Sequence, residues 1–153
     1  MSAQSPRTIV RATSLFDGER HHPASAGPRD IVVEAGRIVA VAPASAEATP
    51  DVTAAFVMPG LVEAHAHIFL DGGELDFAVR TEYLKADTET MVATARLNVA
   101  RAAAAGVTLV RDAGDRWGIN DRIRAELAGD AASVVKLRSP GLGVKRPKRY
   151  GGF

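Results

Sequence analysis

Short apolar runs rich in β-formers fill the first third of the chain, and clear helical spacing appears only beyond residue 87. Residues 8–16 (TIVRATSLF) predict one or two short strands. Residues 30–33 (DIVV) and 37–41 (RIVAV) predict two more, joined by a tight hairpin at Glu34-Ala35-Gly36 in which glycine accepts positive φ. Asp17-Gly18 is a turn signal. Residues 19–28, with Pro23 and Pro28, read as a loop, as does the Ala/Ser/Pro-rich stretch 43–50. Residues 56–58 (FVM) predict one further strand before the Pro59-Gly60 turn signal, and Leu61-Val62 then leads into His65 and His67.

The second half alternates helix and strand. Asp87 or Thr88 can cap a helix over 88–105, with Glu89 favourable in its first turn. Met91, Ala95, Val99 and Ala102-Ala103 fall near helical spacing, and Gly106 is placed to stop the helix. Residues 107–110 (VTLV) read as a buried parallel strand running into Arg111-Asp112-Ala113-Gly114. A short amphipathic helix over 119–128 turns Ile123 and Leu127 inward and Arg122, Arg124 and Glu126 outward, and Gly129 ends it. Residues 133–137 (SVVKL) predict a third strand of the same type. Residues 68–80, with Asp71, Glu74 and Asp76, read as an acidic loop.

Composition narrows the class. At 153 residues, with 46% hydrophobic and 24% charged, the chain suits one globular domain. Its net charge of +1 gives no whole-chain argument for nucleic acid or membrane. No stretch approaches the ~18 apolar residues of a membrane span, the N-terminus lacks a signal-peptide core, and a cytoplasmic protein is expected. Cysteine is absent, so any metal must be held by nitrogen and oxygen.

His65 and His67, two positions apart, project to one face if their segment is a strand. Two converging imidazoles are half of a four-coordinate site; two histidines on a half-buried strand without metal are the other reading. The adjacent pair His21-His22 would point apart on an extended chain, which favours solvated loop histidines over a second metal site. Asp71, Glu74 and Asp76 either touch substrate or form a solvated acidic loop, the commoner case. Lys145, Arg146, Lys148 and Arg149, with Arg138, could grip phosphates, but one short patch on a near-neutral chain favours a solvated or partner-facing loop.

The stretch Pro59-Gly60-Leu61-Val62-Glu63-Ala64-His65-Ala66-His67 resembles the PGLVDxHxH signature of the amidohydrolase superfamily. RAAAAGVTLVRDAGD (101–115) resembles that family's second helix-strand step, and IVVEAGRIVAV (31–41) its N-terminal sandwich. SPGLGVKRPKRYGGF (139–153) is similar to the loop after strand three in the imidazolonepropionase-like and prolidase-like branch. The resemblance implies an α/β fold: residues 1–58 as part of a composite β-sandwich, and 59–153 as the first three β/α units of a (β/α)8 TIM-type barrel. It implies that His65 and His67 bind a divalent metal, zinc first, with iron, manganese or nickel as alternatives and one or two ions per site.

The family's other ligands, a carboxylated Lys or a Glu, two further His and a catalytic Asp, have no match here. Lys136 falls on strand three rather than strand four, which argues against the carbamate role. Asp112 closes a strand at the functional face; it either orients a metal-binding histidine, contacts substrate, or caps the next segment or pairs with Arg111. A full barrel takes about 250 residues, so the implied protein is the N-terminal subunit or fragment of a split amidohydrolase, completed by a complementary chain. It would act on a small-molecule amide, cyclic amide or related C–N bond. The alternative is a non-catalytic interaction module built from the same scaffold.

Overall fold

The computed structural model describes residues 7–142, so the basic residues 145–149 and most of the 139–153 motif lie outside the described residues. The chain divides into two compact units between Pro59 and Gly60. No helix of the described residues is long and apolar enough to cross a membrane.

The first unit is a five-stranded sheet built on β1 (Arg7–Phe16). β1 pairs antiparallel with β2 (His21–His22) and β3 (Arg29–Glu34), and parallel with β5 (Val52–Val57). β4 (Arg37–Pro43) continues the sheet from β3. Ala12, Leu15 and Ile31 form its small core, with Val10, Val33 and Val57 packed around them. The hairpin between β3 and β4 is a two-residue turn in which both Ala35 (φ 48°) and Gly36 (φ 73°) are left-handed. That geometry matches the twist of the paired strands, but a Cβ at the first position is strained there.

The last strand covers Val52–Val57 rather than 56–58, and two further features of this unit go beyond the sequence reading. The stretch 19–28 is not all loop: His21–His22 form a short strand, and Ala24–Ala26 a single 3-10 turn. The cause is local, since the Asp17 carboxylate accepts from the backbone N–H of Glu19 and Arg20 and folds the chain back onto β1. The hydrogen bond from His22, and then those two amides, hold the Asp17 carboxyl well below the usual range. The second feature is a nearly buried ion pair. Arg11 Nε and Nη2 donate to the two oxygens of Asp30 at 2.7 and 2.8 Å, and Nη2 also reaches the Ser45 and Ala48 carbonyls. Ser45 N–H donates back to Asp30 at 3.1 Å, so one carboxylate ties the 44–51 connection to the sheet.

The second unit is α/β. β6 (Leu61–Ala66), β7 (Val107–Asp112) and β8 (Lys136–Arg138) form a parallel sheet in that order. α1 (Phe77–Tyr83), α2 (Thr88–Ala104) and α3 (Ile119–Gly129) connect them. α2 starts where Asp87 accepts from Thr90 N–H and ends before Gly106 at φ 81°. Its inward stripe, Met91, Val92, Ala95 and Val99, packs with Val110, Leu137, Ile119 and Ile123 in the main core. Each large side chain buried there contributes about 1.5–3 kcal/mol. The outer faces of α2 and α3 are bridged by Arg96–Glu126 and Arg122–Glu89, exposed pairs of small individual worth.

Here too the structure corrects the reading. The 68–80 stretch holds α1, whose first turn is capped by Asp76 accepting from Ala78 and Val79 N–H. No residue of α1 is buried, so no apolar stripe announced it. β8 begins at Lys136 rather than 133, because Ser133 is drawn into a turn: its N–H donates to Asp130 O and its hydroxyl to Val135 O.

Two outcomes follow for the first unit. Ala35→Asn should raise its stability by about 1 kcal/mol by relieving the left-handed alanine, read as a higher urea midpoint. Asp30 is held below the usual carboxylate range first by the Arg11 hydrogen bond, against the opposing effect of burial. A depressed folded pKa stabilises above the unfolded value of about 3.9 and is lost as pH falls through the folded one. Urea midpoints should therefore fall from about pH 4 downward, and less steeply in Asp30→Asn.

Candidate metal centre

β6 enters the sheet through a close contact. A Cβ on Gly60 would run into the Thr108 side chain, so only glycine allows this approach. Leu61 N–H then donates to Gly106 O at 2.9 Å, and the ladder runs to Ala66 opposite Asp112. The register shifts between Leu61 and Val62, and again between Glu63 and Ala66. There the backbone is served by side chains: Glu63 Oε1 accepts from His65 N–H at 2.8 Å, and Arg111 Nη1 donates to Ala64 O at 2.9 Å. Irregularities of this kind re-aim side chains at strand ends.

The structure brings His65 and His67 together. Their ring centroids lie 5.7 Å apart with planes at 72°. A metal bound by one nitrogen of each ring at tetrahedral angles needs centroids about 5 Å apart, so the pair is close to chelating separation. His65 is on β6, and His67 is one residue past its end. His67 Nδ1 lies 3.1 Å from Gly114 O. A carbonyl only accepts, so Nδ1 carries the hydrogen and Nε2 keeps its lone pair. Phe69 stands edge-on to the His67 ring at 6.0 Å and packs on Trp117 at 5.1 Å.

The turn carrying His67 is clamped by side chains. Ile68 N–H donates to Asp112 Oδ2 at 2.8 Å. Asn98 Nδ2 donates to the carbonyls of Ile68 and Leu70 at 2.9 and 2.7 Å, and Tyr83 OH to that of Phe69 at 2.6 Å. Asp112 Oδ1 accepts from Gly114 N–H at 2.7 Å and from Asn120 Nδ2 at 3.3 Å. Asp112 thus binds the peptide after His67 and the residue whose carbonyl holds the His67 ring. It is fully buried and forms no hydrogen bond to either imidazole.

The other candidates lie elsewhere. Asp71 and Glu74 accept from Gly73 and Asp76 N–H, and Asp76 caps α1, so the acidic stretch is spent on its own backbone. Lys136 is exposed on β8, with β7 between it and β6. His21 and His22 engage different partners, Ser14 Oγ at 2.9 Å and Asp17 Oδ2 at 2.8 Å. Among the described residues no third His, Asp or Glu joins a cluster that could hold a metal. Two residues the sequence reading passed over matter here, Asn98 and Tyr83. Asn98 carried a signal, since it falls on the Met91–Ala95–Ala102 stripe, where a polar group must find a partner.

No family model and no curated protein matches the chain. Solved structures do match it in fold. A Xaa-Pro dipeptidase with bound methionine aligns over 91% of this chain and 34% of its own at 17% identity, with a TM-score of 0.71. Phenylurea hydrolase B aligns over 90% and 31% at 19% identity and 0.65. Molinate hydrolase aligns over 94% and 31% at 20% identity and 0.64. The chain is therefore similar in fold to these solved structures, and it spans about a third of their length.

Removing the buried acceptor tests the clamp. Asp112→Ala leaves the Ile68 and Gly114 N–H groups without partners, at about 1–3 kcal/mol each. The expected result is a stability loss of about 2–4 kcal/mol by urea unfolding, with faster hydrogen exchange at Ile68 and loss of the protected His67 Nδ1–H signal.

Proposed function

We propose that this chain supplies the first three β/α units of a metal-dependent hydrolase barrel and donates His65 and His67 as two of the metal's ligands. The observation that carries this reading is the His67 ring. Its Nδ1–H is committed to Gly114 O, which leaves Nε2 as a free donor beside a second imidazole. A ligating histidine is oriented by such a bond through its other nitrogen. The fold likeness to three hydrolases supports the same reading.

A bound divalent ion, zinc by preference for imidazole, would supply an activated water and polarise a carbonyl in an amide, cyclic amide or related C–N bond. The residues described here do the positioning. Asp112, Asn98 and Tyr83 hold the 67–70 turn so that Nε2 of His67 keeps one direction. Phe69, backed by Trp117, stands edge-on beside the ring. Asp112 acts in this scheme as a positioning residue rather than as a proton carrier, since its oxygens are taken by backbone and amide donors. The remaining ligands and the substrate pocket come from polypeptide that completes the barrel, in a further chain or further residues of the same one.

In the assembly as isolated from its source, His65→Ala and His67→Ala should each remove bound metal, measured by atomic emission, together with turnover. His21→Ala should leave both unchanged. Metal content and turnover both unaffected by His65→Ala would overturn the assignment.

A further inference from the structure

The two histidines are oriented by different means. The His67 ring is held directly, through Nδ1 on Gly114 O. The His65 side chain forms no hydrogen bond among the described residues, so its direction is left to its backbone. That backbone is irregular. The ladder advances three residues along β6, from Glu63 to Ala66, while it advances two along β7, from Val110 to Asp112. Such an extra residue is a bulge, and it leaves Ala64 and His65 without register partners of their own.

The peptide unit between Ala64 and His65 is instead held at both ends by side chains. Arg111 Nη1 donates to its carbonyl oxygen, Ala64 O, at 2.9 Å. Glu63 Oε1 accepts from its N–H, that of His65, at 2.8 Å. Both bonds have a charged partner, which makes them the stronger kind. A peptide unit is planar, so two anchors at opposite edges fix its rotation. That rotation sets φ of His65 and with it the direction in which the imidazole leaves the chain.

Glu63 and Arg111 are both exposed. Water could satisfy the same carbonyl and N–H at little cost in stability. What water cannot do is hold the plane in one orientation. Glu63 is also not a third ligand, since no further carboxylate clusters with the pair among the described residues.

We infer that Glu63 and Arg111 are positioning residues for His65: acting on the two ends of one peptide unit, they aim its imidazole at the ion that His67 also binds. This rests on the proposed ligand role of the two histidines and adds the groups that set the geometry of the first.

The test is metal binding in the assembly as isolated, with zinc as the probe and a chelator in competition. Glu63→Ala and Arg111→Met should each weaken zinc binding about tenfold or more. Their urea midpoints should stay at the wild-type value, because both side chains lie on the surface. After exchange of zinc for cobalt, the visible absorption bands should shift in both variants, a sign of altered ligand geometry that a general loss of stability would not give. Glu63→Gln keeps an acceptor oxygen and should restore both affinity and spectrum. Wild-type zinc affinity and cobalt bands in either Glu63→Ala or Arg111→Met overturn the inference. So does a Glu63→Gln protein as weak as Glu63→Ala, which would mean that charge matters and the hydrogen bond does not. Zinc loss matched by a fall in the urea midpoint overturns it as well. His65→Ala in the same series separates the two claims. Zinc lost there but kept in Glu63→Ala and Arg111→Met sinks only the positioning role; zinc kept in His65→Ala sinks the ligand assignment and this inference with it.

Discussion

Much of the second unit hangs on one buried carboxylate. Asp112 is fully enclosed and would be costly to bury unpaired, so its oxygens are tied to Ile68 N–H, Gly114 N–H and the Asn120 amide. Those three donors come from the turn after β6, the turn after β7 and the start of α3. A single acceptor therefore fixes where two parallel strands end and where the next helix begins. The His67 ring is set by the same tie, because its partner carbonyl belongs to Gly114. Asp115 repeats the device one turn later, accepting from Trp117, Ile119 and Asn120 N–H.

How much of this was legible in the sequence depends on what kind of signal each element leaves. α2 was plain because Asp87, the Met91–Ala95–Val99 stripe and Gly106 are start, face and stop in one stretch. The β3–β4 hairpin was plain from Gly36, although the left-handed Ala35 was not, since alanine announces no such conformation. α1 left no trace because only Tyr83 at its end packs partly against the core, and its cap Asp76 read as one acid among several. The convergence of His65 and His67 followed from period-two geometry, while the irregular register that aims them did not. Asp112 could be singled out by type and position. Its partners could not, because they are backbone amides that the fold brings together from distant residues.

Charge is arranged differently on the two sides of the second unit. On the outer helices arginines sit in salt bridges with Glu89, Glu126 and Asp121, which suits a surface that meets water. On β7 and β8, Arg111, Lys136 and Arg138 are exposed without such partners among the described residues. The same residue type is thus paired with acids along the helices and left with its charge unpaired by any described residue on the strands.

The Gly60–Thr108 contact carries a consequence for the whole strand that follows it. Pairing errors in a sheet come in whole-residue steps, and a slip of one residue would turn His65 toward the core side. By allowing backbone and side chain to meet at the entry of β6, Gly60 lets Leu61 come opposite Val107 at the start of the ladder. Any side chain at position 60 would push the start of β6 away from Thr108, and with it the strand that carries His65.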